Sequence, residues 1–138
     1  MLPHVLLGDF NIKPADGAYE LLTAGSLPAS HPDVPAPEVI AAGGVAWRPR
    51  LQARLRSAYA AAGSEPAWTN HTVSGGKKRA NPFTDVLDYV FVSEDWSVEA
   101  VMPTPPATPP YPDHTYPLCP SAEEPSDHIM IGATLALL

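Results

Sequence analysis

Eighteen of the 138 residues are proline, and their positions decide where regular structure can form. Proline lacks a backbone N–H and holds φ fixed, so helix interiors and central strands exclude it. Nine prolines fall between residues 103 and 125, which removes that stretch from both kinds of element. Pro28, Pro32, Pro35 and Pro37 do the same for residues 26–47, expected as a long surface loop. Helices and strands are left to the segments in between.

Those segments carry readable patterns. Val5-Leu6-Leu7 is an apolar run that reads as a buried strand ended by Gly8. Asp16 is the expected N-cap of a helix that carries Tyr19, Leu22 and Thr23 at helical spacing and stops at Gly25. A second helix is expected over residues 49–62, with Leu51, Leu55, Ala58, Tyr59 and Ala62 on one face. Ala67 to Asn70 reads as a short strand, and Ser74 to Arg79 as a loop. Val86 to Ser93 has the clearest strand pattern. Leu87, Tyr89, Phe91 and Ser93 share one face; Val86, Asp88, Val90 and Val92 share the other. Strands are also expected over Trp96–Met102 and Ile129–Leu137. Interleaved strands and helices imply an α/β layered fold with a site built from strand ends and loops.

Composition narrows the function classes. Forty-five per cent hydrophobic residues suffice for one core, and 138 residues make one domain at most. A single cysteine, Cys119, excludes a disulfide framework, a cysteine zinc site and a CxxC redox motif. No apolar run reaches the ~20 residues a membrane helix needs, and Met1-Leu2-Pro3-His4 lacks the features of a secretory signal. The expectation is an intracellular, cytoplasmic protein with no membrane span. The net charge of −7 is unevenly distributed. Seven of the eight basic residues lie between Arg48 and Arg79, and residues 80–138 hold nine acids with no lysine or arginine. Such a chain handles a phosphate substrate only where a cation or a local basic patch offsets the field.

Three short segments combine into one chemistry: Gly8-Asp9-Phe10-Asn11, Leu87-Asp88-Tyr89 and Ser126-Asp127-His128. Asp9 and Asn11, two apart on an extended segment, are expected to project to one side. One can hold or deprotonate a water while the other donates an amide hydrogen bond to a phosphate oxygen. A histidine, His128, can donate to a phosphoryl oxygen as charge develops, provided a carboxylate fixes its tautomer. Asp88, set among valines on a buried-looking face, suits that orienting role. Asp127 offers an oxygen ligand for a hard cation. The set reads as metal-assisted hydrolysis at phosphorus.

In that order, GDFN, LDY and SDH resemble the C-terminal half of the endonuclease/exonuclease/phosphatase superfamily. The surrounding residues resemble its CCR4, nocturnin, Angel and 2′-phosphodiesterase branch: Pro14, Tyr19-Glu20-Leu21-Leu22, Leu55-Arg56-Ser57-Ala58-Tyr59, Val90-Phe91-Val92-Ser93 and Pro125-Ser126-Asp127-His128-Ile129. The resemblance implies part of a four-layer α/β/β/α sandwich with two facing mixed sheets. It implies catalytic roles for Asp9, Asn11, Asp88 and His128, substrate contacts from Asn11 and His128, and a metal ligand in Asp127. The implied cation is Mg²⁺, with Mn²⁺ as the alternative. The implied activity is that of a 3′–5′ exoribonuclease (deadenylase) or nucleotide phosphodiesterase acting on RNA or a nucleotide. Another branch, acting on inositol phosphates, sphingomyelin or DNA, and a non-catalytic interaction module are the competing expectations.

The superfamily's N-terminal half supplies a metal-binding glutamate that has no counterpart among Met1 to Leu7. Residues 1–138 are therefore expected to be the C-terminal half of one domain, with the missing half or a partner chain covering an exposed sheet. Weaker features read as background. Ser74 to Arg79 lacks P-loop spacing, Trp68 reads as core, and His31, His71 and His114 read as surface residues.

Overall fold

A computed structural model describes residues 2–34, 48–72, 82–108, 116, 119–122 and 124–138. The expected Ser74–Arg79 loop, His114 and parts of the two proline-rich loops lie outside the described residues. The elements, in chain order, are β1 (Val5–Asp9), α1 (Gly17–Ala24), β2 (Arg56–Ser57), α2 (Ala58–Ala61), β3 (Asn70–Thr72), β4 (Phe83–Asp85), β5 (Asp88–Val92), β6 (Trp96–Val101) and β7 (Ala133–Leu137).

A central sheet has the order β1-β5-β2, and β3-β4 and β6-β7 form two-stranded sheets. Every ladder among the described strands is antiparallel. The fold is thus α/β in content, with antiparallel pairings where mixed sheets were expected. Strand β5 organises the layers, because alternate residues of a strand point to opposite faces. Tyr89 and Phe91 pack with Leu55 and Val86 against Phe10, Ile12, Tyr19 and Leu22, the last two from α1. Val90 and Val92 pack with Ala58 on the other face, against Val98, Val101, Ala133 and Leu135 of β6 and β7. Helix, central sheet and second sheet make three successive layers, with β5 buried between the outer two.

Several boundaries differ from those expected, each for a local reason. β1 runs through Gly8 to Asp9, with Gly8 at φ 145° inside the strand. Asp16 stands at the N-cap of α1, but its carboxylate accepts from the Lys13 N–H; the Gly17 N–H is instead met by Asp33 at 2.8 Å. The helix expected over 49–62 shrinks to Ala58–Ala61. Upstream, Leu51 and Leu55 donate their N–H groups to Gly25 and Leu22, and Arg56 and Ser57 pair with Val92 and Phe91. Those tertiary hydrogen bonds replace helical ones, and Ser57 caps the short helix by accepting from the Ala60 N–H. Strand β5 starts at Asp88 rather than Val86, so Val86 joins the Tyr89 and Phe91 cluster instead of the Val90 face. The expected final strand begins at Ala133, because Ile129 bonds to Thr69 instead.

Candidate active site

The three motif segments meet at one end of the β1–β5 ladder. Asp9 is the last residue of β1, Asp88 the first of β5, and the two are paired across the strands. Like charges placed opposite each other on an antiparallel pair destabilise it. His128 supplies the compensation. Its Nδ1 lies 2.8 Å from Asp88 Oδ2, and its Nε2 lies 3.9 Å from Asp9 Oδ2. The first distance is a hydrogen bond; the second is a charge contact too long to be one. Burial lowers the His128 pKa, but the Asp88 hydrogen bond and the charges of Asp88, Asp9 and Asp127 outweigh it, and the net shift is upward. The pair therefore favours an imidazolium that keeps Nδ1–H on Asp88 and leaves Nε2–H available.

Asn11 reaches the site by a turn, not by an extended strand as its spacing suggested. At φ 51° it occupies the left-handed region, which asparagine tolerates better than most residues. Its N–H donates to Asp9 Oδ1 at 2.8 Å and its amide Nδ2 to Asp9 Oδ2 at 3.3 Å. The Asp9 carboxylate therefore closes an Asx-type turn on the residue two positions ahead, which orients both side chains. Phe10, between them, turns inward onto Phe91 with ring centroids 5.3 Å apart and anchors the turn to the core.

Asp127 is held from β3. Its carbonyl accepts from the His71 N–H at 2.9 Å, and its Oδ2 accepts from Asn70 Nδ2 at 3.4 Å. Among the described residues, no group of three or more His, Cys, Asp or Glu side chains is arranged to hold a metal ion. His128 Nδ1 is committed to Asp88, and both Asp9 oxygens already accept from Asn11. The described residues by themselves do not complete a divalent-cation site; Asp127 is the carboxylate they would offer to one, and the steps derived below are those of the protein's own side chains.

Sequence reasoning missed the contribution of β3. Asn70 is buried and bridges to His128, and His71, expected at the surface, is buried with Nδ1 2.7 Å from Thr84 Oγ1. The polar run Thr69-Asn70-His71-Thr72 was the available signal: four hydrogen-bonding side chains directly after a buried Trp68. Trp68 itself is core, as read.

The model of the endonuclease/exonuclease/phosphatase family matches residues 2–128. The chain belongs to this family. Within the endonuclease/exonuclease/phosphatase family, its relatives include the CCR4-Not complex 3′-5′-exoribonuclease subunit Ccr4 of Emericella nidulans. That protein is 34% identical over 95 residues, covering 68% of this chain and 12% of its own length. Carbon catabolite repressor protein 4 homolog 4 of Arabidopsis thaliana is 29% identical over 133 residues, covering 94% of this chain and 26% of its own. The chain thus spans about an eighth to a quarter of the length of these relatives. No described helix is long and apolar enough to cross a membrane.

Proposed function

We propose that this chain carries the phosphate-handling half of a phosphoester hydrolase, a CCR4-type 3′–5′ exoribonuclease or nucleotide phosphodiesterase. The observation that carries the reading is His128 held between two carboxylates, with one ring nitrogen bound to Asp88 and the other turned toward Asp9. A histidine so held can donate from Nε2 to an anionic oxygen.

In this reading a water attacks phosphorus in line with the ester oxygen, whose bond to phosphorus breaks as the new one forms and which leaves as an alcohol after taking a proton from solvent. Asp9 accepts its proton or holds it for attack, and Asn11 Nδ2 moves from Asp9 to a phosphoryl oxygen. The His128 Nε2–H donates to a second phosphoryl oxygen where charge builds in the transition state. Asp127 offers an oxygen ligand to Mg²⁺ or Mn²⁺, with the other ligands coming from outside the described residues.

The half-domain reading is supported by β1. Among the described strands it lies at a sheet edge, and its Leu6 and Leu7 are 44% and 67% exposed. An uncovered apolar edge strand is a docking surface for further chain. We place there the remainder of a four-layer α/β/β/α domain, with intracellular RNA 3′ ends as the substrate.

Single-turnover cleavage of a labelled oligo(A) tests the reading. The chain alone should show negligible Mg²⁺-dependent cleavage, and the chain joined to the N-terminal half should be active. In the joined protein, Asp9→Ala and His128→Ala should each cost roughly a hundredfold or more. Asp88→Asn should cost less, because it misorients His128 rather than removing it. Unchanged turnover in His128→Ala would overturn the assignment. Turnover of an inositol phosphate or of sphingomyelin in place of oligo(A) would move the protein to another branch.

A further inference from the structure

The His128–Asp88 pair is held by a residue outside all three motif segments. Thr69 immediately precedes β3 and is fully buried. Its Oγ1 accepts two backbone hydrogen bonds, from the Leu87 N–H at 2.9 Å and from the Asp88 N–H at 3.0 Å. Its carbonyl accepts from the Ile129 N–H at 2.8 Å, and its own N–H donates to the Asp85 carbonyl at 3.0 Å. One residue thus grips the backbone of Asp88 and of Ile129, the residue after His128, although those two are 41 apart in the chain.

The chemistry requires a hydroxyl at this point. The Leu87–Asp88 corner is where the chain leaves β4 and turns into β5, and Leu87 is buried. A buried N–H without an acceptor costs free energy comparable to a lost hydrogen bond. A threonine hydroxyl has two acceptor lone pairs, so one side chain satisfies both N–H groups. Valine, which has nearly the same shape, satisfies neither.

We propose that Thr69 is a positioning residue for the reaction. Its hydroxyl sets the corner from which the Asp88 carboxylate reaches His128 Nδ1, while its carbonyl fixes the segment that carries the histidine. The inference rests on the reading of Asp88 and His128 as a working pair. A threonine that merely filled space would stabilise the fold without directing the imidazole.

The two roles separate in isotope-labelled protein studied by NMR at a single pH, comparing Thr69→Val, Thr69→Ala and Thr69→Ser with the parent chain. Without the hydroxyl, exchange protection of the Leu87 and Asp88 amides should fall about tenfold or more. The His128 ring ¹⁵N pattern should shift from a single form that keeps Nδ1–H on Asp88 to a mixture of forms, with the Nδ1–H resonance lost to exchange. Thr69→Ser should keep both signatures. In the joined, active protein, Thr69→Val should lower kcat at unchanged KM, and Thr69→Ser should restore it. An unchanged His128 ring pattern in Thr69→Val or Thr69→Ala would overturn the proposal, even with stability reduced. If neither of those variants folds, loss of the ring pattern in Thr69→Ser would overturn it, because serine keeps the hydroxyl. Failure of the hydrolase reading shows separately, as parent-like turnover in His128→Ala, and leaves the NMR result on Thr69 intact.

Discussion

The two ends of the β1–β5 ladder share one backbone pattern and differ in everything else. At one end Val5 faces Val92, which is fully buried and packs toward β6 and β7. The N–H groups of His4 and Ser93 close that end by bonding to Ser93 Oγ and the His4 carbonyl. At the other end Asp9 faces Asp88, with their side chains 37% and 15% exposed. The apolar end gains free energy from burial. The charged end places two carboxylates together and depends on His128 to offset them. A strand pair can tolerate an unfavourable functional end because the rest of its length is anchored by burial.

The largest effect should come from breaking the packed part. Phe91 is fully buried against Phe10 and Tyr89, so Phe91→Ala should cost about 3–5 kcal/mol. Urea denaturation would measure it, and a loss below about 1 kcal/mol would mean that the aromatic cluster is not the anchor.

An intermediate effect concerns the phenols on the same face. Burial, then the hydrogen bond to Glu65 and its charge, raise the Tyr19 pKa; burial and neighbouring carboxylates raise that of Tyr89. With folded values above the unfolded value of roughly 10, both groups contribute stability that is fully present below that pH. The contribution is lost as pH rises toward the folded values. Stability should therefore fall above about pH 10, and Tyr19→Phe should flatten that fall. At neutral pH the same change should cost about 1 kcal/mol for the lost Glu65 bond. An alkaline limb of equal slope in both proteins would exclude Tyr19 as a contributor.

The smallest effect should sharpen the contrast. Asp9→Asn removes one of the facing charges and keeps an oxygen for the Asn11 turn. It should leave stability unchanged or raise it by about 0.5 kcal/mol, while removing the group assigned to the attacking water. Clear destabilisation would show that the carboxylate is needed to hold the turn.

Much of this contrast was legible beforehand. The alternation of Tyr89 and Phe91 with Val90 and Val92 marked a strand with two distinct faces, and the structure sets helix on one and sheet on the other. The three motif segments meet because Asp9 and Asp88 stand at paired strand ends and His128 lies on a segment that bridges to Asn70 of β3. What the sequence did not reveal depends on distant partners. Nothing in Leu51 to Arg56 shows that their N–H groups bond to α1 and β5 instead of to one another. The helical spacing was real, but tertiary hydrogen bonds overrode it. Thr69 and Asn70 looked like ordinary strand residues. Their partners are Leu87, Asp88 and Ile129 for Thr69, and Asp127 and His128 for Asn70, which only the fold brings beside them.

The exposed middle of β1 has a consequence for how this strand tolerates change. Leu6 and Leu7 are only partly buried among the described residues, and besides its ladder with β5 the strand is fixed at its flanks: His4 against Ser93 before it and Phe10 against Leu87 and Phe91 after it. Exchanging those two leucines alters only what the strand shows to its surroundings. Adding or deleting one residue between His4 and Phe10 is different in kind. With a period of two, it either rotates Asp9 to the opposite face of the sheet or forces a bulge. Positions 6 and 7 are permissive in chemistry, and the segment is strict in length.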